Sequence, residues 1–184
     1  MTYKLTSKKV IFILLIVIIG GCNIFGVSDL EKGTFHAFME GDESKTFHGE
    51  AVFEAITYWL EPNYLFVLRD YSQTNYKTIT FWRTPILKKG TYDIGNHNNP
   101  DEVNSDMILV DYSEFNIEND HRQKYYSKGG ILKVTSVSKN SFTGSFNLEL
   151  FRNINGLEEI IDTKEIILYG TFHAERGDTG YTIF

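Results

Sequence analysis

The strongest structural signal in the chain lies in residues 141–150, which read Ser141-Phe142-Thr143-Gly144-Ser145-Phe146-Asn147-Leu148-Glu149-Leu150. Phe, Leu and one Gly occupy every second position, and polar residues stand between them. Successive side chains of a β-strand point to opposite faces of the sheet, so this alternation predicts a strand with one buried and one solvated face. The preceding apolar run, Ile131 to Val137, and the polar turn at residues 138–141 complete a predicted hairpin.

Similar short apolar runs, bounded by turn residues, recur from residue 33 to the end of the chain. The composition agrees with strands, because aromatic residues suit a pleated surface and the chain holds 14 Phe and 11 Tyr. We predict one all-β domain over residues 33–184, an antiparallel β-sandwich of about nine strands, with barrel-like closure left open. The predicted strands are Gly33–Glu40, Glu50–Leu60, Tyr64–Asp70, Lys77–Arg83, Thr91–Ile94, Met107–Tyr112, Ile131–Val137, Phe142–Leu150 and Lys164–Glu175.

The first 21 residues have the pattern of an export signal. Three lysines precede an apolar run, Val10 to Ile19, and two small residues, Gly20 and Gly21, follow it. A short apolar core between a basic start and a small-residue cleavage site is typical of a signal peptide. We therefore predict an N-terminal signal helix that is removed between Gly21 and Cys22, leaving 163 residues in the mature chain.

The segment Ile19-Gly20-Gly21-Cys22 resembles the bacterial lipobox. The resemblance implies that the thiol of Cys22 receives a lipid, that cleavage follows, and that residues 22–32 tether the domain to a membrane of the cell envelope. Because Asn23 is not Asp, it also implies the outer membrane in a host with two membranes. The alternatives are a secreted protein with an unpaired thiol and a protein with an uncleaved anchor.

Four further segments resemble a broad group of uncharacterised β-sandwich lipoproteins of Bacteroidetes and related bacteria. They are Lys88–Ile94, Gly129–Thr135, Ser141–Phe146 and Gly170–Phe172. The order of the segments matches over roughly the second half of the mature chain. No activity is agreed for that group, so the resemblance implies a fold and a location but no reaction.

The net charge of the mature chain argues against two classes of binding partner. Three of the 18 Lys and Arg lie in residues 1–21 and none of the 24 Asp and Glu do, so the mature chain has 15 basic and 24 acidic residues, a net charge of −9. Such a chain has no bulk positive charge for nucleic acid or anionic lipid, which argues against both partners.

Two groups of residues are candidates for metal binding. The pentapeptide Gly-Thr-Phe-His-Ala occurs at residues 33–37 and 170–174, so His36 and His173 are able to share a face and hold zinc if the first and last strands are neighbours. Oxygen donors crowd the loop between residues 93 and 106, where Asp93, Asp101 and Asp106 are candidates for calcium. The plainer interpretations are half-exposed strand histidines and a solvated turn.

Aromatic residues outside the clean alternation are candidates for ligand contact. Trp59 and Trp82 are the two we single out, because flat rings beside Asn and Asp suit sugars and protein surfaces. The alternative is that both rings simply pack in the core or on a sheet face.

Catalytic motifs are not recognisable. The sequence has no Gly-x-Ser-x-Gly elbow and no His-Glu-x-x-His pair, and Cys22 is its only cysteine. We therefore predict a membrane-anchored, non-enzymatic binding module whose ligand is a glycan or a protein and which needs no cofactor. The alternatives are a hydrolase acting on glycan or lipid, and a structural or toxin-neutralising envelope protein.

Overall fold

The computed structural model describes residues 31–41, 44–58, 61–72, 74–85, 87–97, 107–152 and 165–180. These residues form nine β-strands, and none of them lies in a helix that is long and apolar enough to span a membrane. The strands are β1 (Thr34–Glu40), β2 (Lys45–Tyr58), β3 (Glu61–Tyr71), β4 (Asn75–Thr84), β5 (Gly90–Asp93), β6 (Leu109–Asn116), β7 (His121–Val137), β8 (Ser141–Arg152) and β9 (Glu165–Arg176).

The nine strands belong to one sheet that closes on itself. Strands β1, β2, β3, β4, β6, β7, β8 and β9 pair antiparallel in chain order, and β9 returns to pair with β1. The result is an eight-stranded up-and-down barrel, with the short β5 added to β7. The predicted all-β antiparallel fold of about nine strands is confirmed, and the closure is that of a barrel.

Aromatic side chains fill the interior of the barrel. Eight strands enclose a space that side chains can just fill, and alternate residues of every strand point inward. Phe66 lies at the centre, with its ring 4.7 to 4.9 Å from the rings of Phe81, Phe142 and Phe172. The apolar face predicted for residues 142–150 is therefore buried against rings from the opposite side of the barrel.

Two glycines leave room for two of these rings. Gly144 of β8 lies opposite Phe172 of β9, and Phe146 lies opposite Gly170. A Cβ atom added to Gly144 would come within 2.8 Å of the Phe172 ring, and one on Gly170 within 2.8 Å of the Phe146 ring. The Gly-x-Phe pattern of both strands is thus a pair of reciprocal glycine–phenylalanine contacts.

The repeated pentapeptide pairs with itself. β1 and β9 are antiparallel neighbours, with Phe35 opposite Phe172 and His36 opposite Thr171. Both phenylalanines are buried in the core, and both histidines are on the outer surface. The repeat therefore follows the inside–outside alternation of two adjacent strands.

Several strands extend further than predicted. β2 begins at Lys45 rather than Glu50, β6 continues to Asn116, and β7 begins ten residues before Ile131, at His121. The hairpin that joins β6 to β7 at residues 117–120 was not predicted. Some of the additional residues are polar groups that point inward at the end of the barrel beside the β6–β7 turn, which we call the mouth. Because these inward positions are polar, the sequence there lacks the apolar alternation of a strand.

A second, smaller apolar cluster lies on the outer surface. Val52, Leu65 and Val67 point away from the core but are buried, and Ile56 and Trp82 pack against them. Residues 177–180 turn back over β2, where the backbone N–H and the hydroxyl of Thr179 both donate to Glu54 Oε2, at 3.2 and 2.8 Å.

Candidate functional site

A depression lies on the outer face of β4, β6 and β7. Thr78, Ser113 and Lys124 lie side by side across these three strands. The next row toward the β6–β7 turn holds Tyr76, Phe115 and Arg122. Thr78 and Ser113 are small and the side chains around them are large. The sheet face is therefore hollow above these two hydroxyl residues.

The resulting groove, which we call the β4–β6–β7 groove, has a volume of about 360 Å³. Its floor is hydroxyl-rich, and aromatic rings stand at both ends. Tyr76 and Trp82 are six residues apart on β4, about 20 Å along the strand. The groove is lined by Tyr76, Thr78, Thr80, Trp82, Asp111, Ser113, Phe115, Arg122 and Lys124.

Asp111 is the buried charge of this groove, with 8% of its surface exposed. Its Oδ2 atom accepts a hydrogen bond from Trp82 Nε1 at 3.1 Å and lies 3.1 Å from Lys124 Nζ. A buried carboxylate is stable only when it is paired and hydrogen-bonded, and these two contacts supply both conditions. They also fix the indole ring and the ammonium group at the groove wall.

Lys124 is held in its charged form. Burial lowers the pKa of its ammonium group, but the charge and hydrogen bond of Asp111, followed by Tyr126, raise it more. The net result is a pKa above the ordinary lysine value. Lys124 and Asp111 therefore form a fixed ion pair, in which the two charges largely cancel.

Ser127, His97 and Asp111 have the composition of a hydrolytic triad. His97 Nδ1 lies 3.0 Å from Ser127 Oγ, and His97 Nε2 lies 3.3 Å from Asp111 Oδ1, although Oδ1 has no partner with hydrogen-bond geometry among the described residues. Ser127 is fully buried, and its hydroxyl donates to Gly95 O at 2.8 Å. The hydroxyl also accepts from Val110 N–H at 3.2 Å.

These contacts determine what Ser127 can do. Its single proton is donated to a carbonyl, so His97 Nδ1 must be the donor in the Ser127–His97 contact. A nucleophilic serine needs an accessible oxygen whose proton passes to a base, and this serine has neither property. The trio instead joins the segment after β5 to β6 and β7.

The inward-facing polar residues at the mouth of the barrel form a second polar group. Lys77 Nζ lies 3.7 Å from Asp70 Oδ2 on the neighbouring strand. The Tyr112 hydroxyl donates a hydrogen bond to Glu114 Oε2 at 3.3 Å. Burial, and then the charge of Glu114, raise the pKa of Tyr112 far above its usual value. These contacts satisfy side chains that the barrel interior would otherwise leave unpaired.

The predicted histidine site is only partly assembled. The rings of His36 and His48 stack with centroids 5.6 Å apart, and His173 lies opposite Thr34 on the next strand. His36, His48 and His173 each end a Thr-Phe-His tripeptide, and the candidates chosen from the sequence were His36 and His173 rather than the His36–His48 pair that stacks. In the part of the chain that the structure describes, no three His, Cys, Asp or Glu residues are grouped to hold a metal ion.

The other predicted site residues have different outcomes. Trp82 lines the groove, and Asp93 is exposed at the end of β5. Sequence reasoning missed Asp111, a single polar residue inside a short apolar run, and it missed Arg122 and Lys124, which lie in a polar stretch that shows no strand pattern. Gly21, Cys22, Trp59, Asp101 and Asp106 lie outside the described residues.

No protein-family model, curated protein or solved structure matches this chain.

Proposed function

We propose that this protein is a lipid-anchored envelope protein that binds saccharide, without transforming it, in the β4–β6–β7 groove. The observation that carries the proposal is a floor of small hydroxyl residues between aromatic walls. A sugar ring has apolar C–H faces and a rim of hydroxyl groups, and it needs both kinds of surface.

The chemistry of the groove supports a saccharide ligand. Thr78 and Ser113 have no side-chain hydrogen bond to any other described residue, so their hydroxyls are able to serve a ligand. Tyr76, Phe115 and Trp82 supply ring faces and edges of the kind that line sites for small organic ligands. The length of the groove along β4 suits a short oligosaccharide rather than a single sugar.

The rigidity of the groove supports binding as well. Its residues belong to three strands of a closed barrel, and its central charge is fixed by Trp82 and Lys124. A site that is ordered before the ligand arrives loses less entropy on binding.

A large side chain placed on the floor of the β4–β6–β7 groove tests this proposal. We expect Ser113→Phe to abolish saccharide binding, because the added ring occupies the hollow between β4 and β7. Ser145→Phe is the matched control, since Ser145 is also a half-buried serine on the outer face, on the distant strand β8. The measurement is thermal unfolding of the purified full chain in detergent, with and without a panel of oligosaccharides.

A saccharide that binds only the folded state raises the free energy of unfolding by mass action, by about 2.7 kcal/mol at a concentration a hundred times its dissociation constant, and the unfolding temperature rises with it. The shift should persist in Ser145→Phe and disappear in Ser113→Phe. Two results would reject the proposal: no saccharide stabilises the protein, or both variants are stabilised equally.

Anchoring is the second part of the proposal. It is supported by the lipobox-like segment at residues 19–22, and it predicts a mature chain that begins at lipidated Cys22. Two or more acyl chains on that residue would give stable attachment, whereas one chain gives only marginal binding.

Metabolic labelling with palmitate, followed by mass spectrometry, tests the anchor. We expect labelled protein that lacks residues 1–21, and no label in Cys22→Ser. Gly26→Ser, which lies outside the motif, should keep the label. An unlabelled wild-type chain would exclude lipidation.

A further inference from the structure

We infer that the saccharide selected by the β4–β6–β7 groove carries a carboxylate, and that Arg122 recognises it. This inference rests on the proposed saccharide-binding function and adds the chemical class of the ligand. It follows from the charges of the groove, which do not cancel.

Two of the three charged residues that line the groove neutralise each other. Asp111 lies 3.1 Å from Lys124, and that carboxylate also contacts Trp82 and His97. Arg122 remains. It is exposed, and no carboxylate of the described chain lies within ion-pair distance of it.

Arg122 is also held in a suitable position. Its guanidinium carbon lies 5.7 Å from the centre of the Phe115 ring, a distance at which a cation is attracted to an aromatic face. The planar guanidinium can form two parallel hydrogen bonds to one carboxylate, which gives geometric selectivity that an ammonium group lacks.

The guanidinium of Arg122 can attract an anion only at short range, because the chain as a whole is acidic. The whole chain has 24 acidic and 18 basic residues, so its net charge repels anions at long range. An unpaired arginine beside a hydroxyl floor can select an anion only at contact distance. A sugar acid meets both requirements, with hydroxyls for Thr78 and Ser113 and a carboxylate for Arg122.

The test compares uronic-acid oligosaccharides with their methyl esters, which remove the charge and change the shape little. We expect calorimetry on the full chain to give about tenfold weaker binding for the esters, the usual effect of losing one charge-assisted hydrogen bond. Arg122→Gln should weaken the acid by the same factor and leave the ester unchanged. Arg176→Gln, an exposed arginine at the end of β9, is the control.

The possible results separate this inference from the proposed function. Equal binding of acid and ester, with no effect of Arg122→Gln, would overturn the inference and leave neutral saccharide binding intact. Displacement of the acid by inorganic phosphate at similar concentration would also overturn it, because an anion alone would then suffice. Failure of every saccharide, neutral or acidic, would overturn both proposals.

Discussion

Single glycines set how closely β8 and β9 approach the core rings. Gly144 and Gly170 each lie beneath a phenylalanine of the neighbouring strand. A side chain at either position would meet a ring and also a backbone carbonyl, that of Lys133 or His36. Neither carbonyl can move without disturbing the hydrogen-bond ladder that closes the barrel.

We expect Gly170→Ala to lower the free energy of unfolding by about 1–3 kcal/mol, the usual cost of overpacking a dense core. The matched control is Gly177→Ala, whose added Cβ would meet Val52 at an ordinary contact distance of 3.5 Å. Urea denaturation measures both changes. Equal stability of the two variants would show that the Phe146 ring can move aside.

At the scale of the element, Ser127 joins three parts of the chain. A register shift in β7 between Ser127 and Gly129 breaks the simple alternation at this point. The buried hydroxyl then bonds the backbone of Gly95 and of Val110, and the Ser127 carbonyl accepts from His97 N–H at 2.9 Å. One serine thus connects β6 and β7 to the segment that follows β5.

Ser127→Ala should therefore destabilise the protein by about 1–3 kcal/mol, because it leaves buried backbone groups without a partner. Ser145→Ala, at a half-buried serine with no side-chain hydrogen bond to another described residue, should change stability little. Chemical denaturation compares the two variants. A loss of similar size in both would mean that the hydrogen bonds of the Ser127 hydroxyl contribute nothing particular to stability.

Segments with clean alternation were predictable, whereas the end of β6 and the start of β7, which place polar residues inward, were not. The sequence of residues 142–150 predicts a strand because every inward position is apolar or Gly. β6 and the start of β7 place Glu114 and Gln123 inward at the barrel mouth, where neighbouring polar groups satisfy them, so their sequence does not alternate.

The groove was predictable only in part, for a related reason. Trp82 stood out as a rare aromatic residue. The floor and the charges depend on register, which brings Thr78, Ser113 and Lys124 from three strands into one row. A single sequence shows the periodicity of each strand but not the residues that it faces.

For the whole molecule, the buried phenol of Tyr112 predicts sensitivity to alkali. Its pKa is raised in the folded barrel, mainly by burial, whereas an unfolded tyrosine ionises near pH 10. The stability associated with the neutral phenol is fully present below about pH 10 and is lost as pH rises through the folded pKa.

Tyr112→Phe should remove this loss. Between pH 10 and 11.5 the wild-type free energy of unfolding should fall by up to about 1.4 kcal/mol per pH unit more than that of the variant. The control is Tyr71→Phe, because Tyr71 is 59% exposed. Parallel curves for wild type and Tyr112→Phe would show that the phenol ionises equally in both states.

One end of the groove lies far from the start of the barrel. The described chain enters at the end where β1 begins, whereas Tyr76 and Phe115 lie near the opposite end, beside the β3–β4 and β6–β7 turns. The row of Tyr76, Phe115 and Arg122 is therefore separated from the start of β1 by the length of the strands. A lipid on Cys22, as proposed above, would belong to the part of the chain that precedes β1. The lipid and the ligand would then pull from opposite ends, and any load between them would be carried along the strands of the barrel.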